Sequence, residues 1–121
     1  MAKQIKDIKE RTFEFAVRIV KLCQHLDKTP GACRTLSGQL LRAGTSVGAN
    51  VEEAQAGQSR ADFISKNSIA LKEARECYYW LRILIAAQIM PERKVAELRD
   101  EAQEIKLILG SIVVRTKRRT V

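Results

Sequence analysis

Gln39-Leu40-Leu41-Arg42-Ala43-Gly44-Thr45-Ser46-Val47-Gly48-Ala49-Asn50-Val51-Glu52-Glu53-Ala54 is the stretch on which the fold turns. Leu40, Gly44, Val47, Val51 and Ala54 recur at steps of four, three, four and three, the spacing that lines side chains along one face of an α-helix. The middle of that helix carries almost no side-chain bulk: Ala43, Gly44, Thr45, Ser46, Gly48 and Ala49 are all small. Glycine within a helix costs about 0.5–1 kcal/mol relative to alanine, so a compensating contact is expected. Gly44 and Gly48 stand four apart, the pattern of small-residue seams where a second helix backbone comes close. The competing reading is a frayed or kinked helix. Asn50 falls near the inner face, as a packing or register residue or as a ligand-binding amide, since an unpaired buried amide costs about 1–3 kcal/mol.

Working outward, three more helices emerge. Ile5, Ile8, Thr12, Phe13, Ala16, Val20 and Cys23 trace an inner stripe for a first helix over about 5–27, ended by Thr29-Pro30-Gly31. The glycine-bearing helix spans about 32–56, with Gly57 closing it. Ser59 followed by Asp62 reads as a capping box for a third helix over 59–88. Its seam is Phe63, Asn67, Ala70, Ala74, Cys77, Leu81, Leu84 and Gln88, and a second stripe comprises Ile64, Leu71, Tyr78 and Ile85. Two stripes exceed what one neighbour needs, so this helix touches several others within the domain or in another subunit. Pro91-Glu92 opens a fourth helix over 91–116, with Val95, Leu98, Ala102, Ile105, Leu109 and Ile112 as its stripe. No stretch alternates as a strand would. The expectation is one all-α domain over 1–121, an antiparallel up-down-up-down four-helix bundle.

Composition narrows the function classes. A chain of 121 residues can hold a core without disulfides or metal. The three cysteines, Cys23, Cys33 and Cys77, are odd in number and form no CxxC pair, so free thiols are expected. No apolar run is long enough to span a membrane and the N-terminus lacks a secretory apolar region, which together predict a cytosolic protein without membrane partners. The net charge is +8, from 22 Lys and Arg against 14 Asp and Glu. No acid follows Glu104, while Arg115, Lys117, Arg118 and Arg119 crowd the tail. Such a tail serves either as a solvated helix end with cations at its negative pole or as a nucleic-acid contact.

No catalytic constellation is visible. A di-iron bundle needs Glu-x-x-His pairs, and the single histidine, His25, belongs to none. Glu73 and Glu76, like Glu101 and Glu104, stand three apart with Lys72, Arg75 and Lys106 nearby, as exposed helix charges do. No cysteine has a histidine partner, and no phosphate-cradling loop follows the glycines. The expectation is a protein that is not an enzyme and takes neither cofactor nor metal.

Several segments resemble the small bacterial four-helix-bundle proteins related to those encoded in 23S ribosomal RNA intervening sequences. They are Gln39-Leu40-Leu41-Arg42-Ala43, Ser46 through Ala54, Asp62-Phe63, Ile69 through Glu76 and Tyr79-Trp80-Leu81. Where a common family form reads Asn-Ile-Ala-Glu-Gly, this chain has Asn50 through Ala54, which places it in a subgroup. The resemblance implies a cytosolic antiparallel bundle assembled as a homo-oligomer, a ring of five. It also implies kinship with the accessory variability protein of diversity-generating retroelements, whose basic ring binds nucleic acid and a reverse transcriptase. It supplies no settled activity. Two functions follow. One is binding of RNA or DNA, structured RNA above all, with Arg115, Lys117, Arg118 and Arg119 on phosphates and Lys3, Lys6, Lys9 and Arg11 as helpers. The other is a scaffold or accessory subunit for a partner protein such as a polymerase. Tyr78, Tyr79 and Trp80 place aromatics on more than one face of the third helix, and Trp80 is either an interface anchor or ordinary core.

Overall fold

The structure, a computed structural model, describes residues 7–119. Among these residues there are four helices, α1 (Ile8–Leu26), α2 (Ala32–Ala56), α3 (Arg60–Ala86) and α4 (Glu92–Arg118), and no strand. Successive helices pack against one another through short turns, while α1 and α4 meet more sparsely. The result is an all-α, antiparallel four-helix bundle.

The glycine stripe of α2 faces α1. Leu40, Ala43, Gly44, Val47, Gly48, Val51 and Ala54 are all buried. A Cβ placed on Gly44 would lie 2.6 Å from Ile19 Cγ2, and one on Gly48 would lie 3.2 Å from the Thr12 carbonyl oxygen. The missing side chains therefore let α1 settle onto α2. A reciprocal pair reinforces the contact farther along: Ser37 Oγ donates to the Cys23 carbonyl at 3.3 Å, and Cys23 Sγ donates to the Ser37 carbonyl at 3.4 Å.

The buried stripe of α1 departs from the expected one. Thr12, Phe15, Ile19, Cys23 and Leu26 face inward, whereas Phe13 is 59% exposed and Ala16 and Val20 are only half-buried. Two apolar stripes compete on this helix, and the one led by Phe15 fits the glycine groove. Asp7 is the N-cap, its Oδ1 accepting from the Glu10 N–H at 2.8 Å, so the helix starts at Ile8 rather than at Ile5, which lies outside the described residues. At the other end Gly31 takes φ +90°, a left-handed value that admits the Thr29-Pro30-Gly31 reversal. Arg34 then donates to the Asp27 carbonyl from Nε at 3.2 Å and Nη2 at 3.0 Å, closing the α1 terminus from α2.

The α3 seam is buried from Asn67 to Leu84, but Gln88 does not continue it. Gln88 sits at φ 61°, its N–H donating to the Ile85 carbonyl at 3.0 Å while the Ile89 N–H donates to the Leu84 carbonyl at 3.0 Å. That pair of bonds is a Schellman closure with glutamine where glycine is usual, and it ends α3 at Ala86. Helix α4 buries Val95, Leu98, Ala102, Ile105 and Leu109 as expected and runs to Arg118, past Thr116, with Val113 rather than Ile112 closing the stripe.

The two Glu-x-x-Glu pairs are cross-helix clamps rather than free surface charges. Arg11 on α1 grips Glu101 at 2.7 and 2.8 Å and Glu104 at 2.9 Å on α4. Arg42 on α2 grips Glu73 at 3.1 Å, and Glu76, on α3. Glu73 is buried, so loss of that arginine would leave its carboxylate without its ion-pair partner.

Candidate nucleic-acid interface

Antiparallel packing brings the start of α3 and the end of α4 to one end of the bundle. Arg115, Lys117 and Arg118 occupy the last turn of α4, and Arg119 is its C-cap; all four are exposed. Cations suit that end of a helix, where unpaired carbonyls leave a partial negative charge. Arg60, the first residue of α3, joins them and donates from Nη1 to the Arg119 carbonyl at 3.0 Å. Nothing in the sequence marks Arg60 for this cluster, because it lies 59 positions away from Arg119 and becomes its neighbour only through the bundle topology. Ser59 accepts from the Asp62 N–H at 3.0 Å, as the capping signal predicts. A Cβ built on Gly57 would fall 3.2 Å from Asp62 Cβ, so the α2–α3 turn passes close to the start of α3.

Arg60, Phe63, Ile112, Arg115, Thr116 and Arg119 line a cavity of about 340 Å³ at this end. Phe63, expected to begin the α3 seam, is half-buried and forms part of its wall. Three arginines elsewhere are engaged differently: Arg11, Arg42 and Arg99 each meet two carboxylates. Carboxylate bonding, first of all from Glu101, raises the Arg11 pKa above its ordinary value and fixes the guanidinium in the α1–α4 seam. Arg11 is thereby a structural residue. Lys9 is exposed in the first turn of α1, and Lys3 and Lys6 lie outside the described residues.

The remaining predicted residues separate into packing and surface roles. Gly44 and Gly48 admit α1 from the same chain. Asn50 is half-buried and spends its amide on its own helix, donating to the Ser46 carbonyl at 2.9 Å and Ser46 Oγ at 3.1 Å. Tyr78 packs on the core with Lys106 Nζ 4.9 Å and Arg82 Cζ 5.4 Å from its ring centre. Trp80 also packs partly on the core, donates from Nε1 to Glu76 at 3.3 Å and meets Tyr79 edge-on at 5.3 Å.

Buried thiols are held protonated. Burial pushes both Cys23 and Cys77 above the ordinary thiol range, with Glu73 and Glu76 adding to the effect at Cys77. Among the described residues no cluster of His, Cys, Asp or Glu could hold a metal ion, and no helix is long and apolar enough to cross a membrane.

The sequence profile of the 23S rRNA-intervening sequence proteins matches residues 5–111. A crystal structure of a protein of unknown function from the S23 ribosomal protein family of Bacteroides thetaiotaomicron is similar at a TM-score of 0.81 and 43% identity. The likeness covers 88% of this chain and 98% of that one. No curated protein matches the chain.

Proposed function

Because the chain belongs to the 23S rRNA-intervening sequence protein family, we propose that it is a non-enzymatic, homo-oligomeric cytosolic protein that binds nucleic acid, structured RNA above all, through the basic end of its bundle. The observation that carries this reading is the concentration of Arg60, Arg115, Lys117, Arg118 and Arg119 where α3 begins and α4 ends. Arg115 and Arg118 face solvent without a carboxylate partner among the described residues, whereas Arg11 and Arg42, which clamp one helix to another, are each paired with two acids. An exposed arginine cluster binds phosphate by releasing condensed counterions.

Exposed apolar residues support self-assembly. Phe13 and Val17 are exposed one helical turn apart on α1. On α4, the exposed Leu107 and Val114 line, with Gly110, a shallow groove of about 490 Å³. An exposed aromatic side chain and a groove lined by glycine are unlike surfaces. Joined between copies they make a head-to-tail contact, the kind that closes into rings such as the ring of five implied by the resemblance. Each copy then contributes one basic end, and linked weak sites reinforce one another.

The test is binding of a labelled RNA hairpin across a salt series. Each phosphate contact contributes about 0.7–0.9 to the slope of log affinity against log salt. The triple variant R115A/R118A/R119A is expected to flatten that slope by about 2–3 per chain engaged. Absence of binding by the unaltered protein at low salt, or an unchanged slope in the variant, would overturn the proposal.

A further inference from the structure

The cavity between the start of α3 and the end of α4 combines two chemistries that a purely electrostatic surface does not need. Its lining is part apolar, from Phe63 and Ile112, and part cationic, from three arginines, Arg60, Arg115 and Arg119. Arg60 is held in place by its bond to the Arg119 carbonyl at 3.0 Å, which fixes one side of the cavity. Thr116 donates its hydroxyl proton to the Ile112 carbonyl at 2.7 Å, leaving the oxygen lone pairs as acceptors at the cavity wall. The volume, about 340 Å³, lies at the lower end of small-ligand sites, about the size of one nucleotide.

We infer that this cavity takes a single unpaired nucleotide, its base lodged against Phe63 and its phosphate among Arg60, Arg115 and Arg119. The inference rests on the nucleic-acid reading above and sharpens it. Phosphate contacts alone would treat duplex and single strand according to charge density, whereas an aromatic wall can engage only a base that has left its stack. Structured RNA presents such bases in loops and bulges. An acidic peptide satisfies the arginines but leaves the aromatic wall without its partner.

The experiment compares a fluorescent oligoadenylate with a duplex of equal length, using F63L, which keeps apolar volume without a ring, and F63Y, which keeps the ring. The expected result is about a tenfold loss of oligoadenylate affinity in F63L, with F63Y near the unaltered protein and duplex binding unchanged in both. In a second measurement on the unaltered protein, adenosine 5′-monophosphate should displace the oligonucleotide at concentrations where ribose 5-phosphate and oligoglutamate do not. Equal losses for single strand and duplex in F63L, no loss in F63L, or equal displacement by the three competitors would each overturn the nucleotide pocket while leaving the basic end intact. Failure of both nucleic acids to bind at low salt would overturn this inference together with the reading beneath it.

Discussion

Replacing Gly44 by alanine puts the α1–α2 seam under a defined load. The added Cβ would fall 2.6 Å from Ile19 Cγ2, 2.9 Å from Cγ1 and 3.0 Å from Cβ, all well inside ordinary van der Waals contact. Ile19 is fully buried and β-branched, so it has little room to turn away. Overpacking of a tight core costs about 1–3 kcal/mol, and a clash at the base of a rigid side chain belongs at the upper end. Gaining alanine in a helix returns about 1 kcal/mol, leaving a net loss of about 2 kcal/mol. For a domain of this size that lowers the melting temperature by about 8 °C. Gly38→Ala is an internal control, because a Cβ there meets nothing within 4 Å. It should gain about 0.5–1 kcal/mol from helix propensity alone. A double-mutant cycle completes the set: Ile19→Ala removes both γ carbons, so the pair with Gly44→Ala should be less damaging than the sum of its parts by about 1 kcal/mol. A Gly44→Ala protein that melts at or above the unaltered one, or a cycle with no coupling, would refute the idea that these glycines exist to admit α1.

Gln88→Gly should stabilise the fold by about 1 kcal/mol in chemical denaturation, since Gln88 holds the left-handed position of the α3 closure at φ 61°. Arg42→Ala should cost about 1–2 kcal/mol by leaving the buried Glu73 carboxylate without its partner, and adding Glu73→Gln should recover part of that loss. Native alkylation should label Cys33 well before the buried Cys23 and Cys77, with all three reacting in urea, as read by mass spectrometry. The raised Cys77 pKa also sets a pH trend: above about pH 9 the unfolded thiol ionises while the folded one does not, so stability falls as pH rises, and Cys77→Ala should reduce the slope of melting temperature against pH in that window. Phe13→Glu or Leu107→Glu should lower the mass measured by light scattering at micromolar concentration while leaving helicity intact.

The bundle was legible in α2 and α4, which each carry one dominant apolar stripe, and in α3, whose seam from Asn67 to Leu84 is buried while Leu71, Tyr78 and Ile85 of its second stripe pack half-buried beside it; the α2 stripe with its glycines matched residue for residue. Helix α1 was legible as a helix but only in part for its inward face, since Thr12 and Cys23 are buried as read while Phe13, Ala16 and Val20 yield to a rival face led by Phe15 and Ile19. Only the shape of the groove above Gly44 and Gly48 decides between them. The Gln88 ending lay outside residue preferences, because glutamine seldom takes the left-handed position. The basic tail could be read directly from Arg115 to Arg119, but its coupling to Arg60 and Phe63 could not. Those residues meet only after four helices fold back on one another. The same holds for the Arg11 and Arg42 clamps, whose carboxylates lie 90 and 31 positions away.

Photo-cross-linking the protein to RNA carrying 4-thiouridine, followed by peptide mapping, locates the interface directly. Cross-links should concentrate in the first turn of α3 and the last turns of α4, around Phe63 and Arg115 to Arg119. Cross-links gathered instead at the opposite end of the bundle, around His25, Arg34 and Lys94, would contradict it.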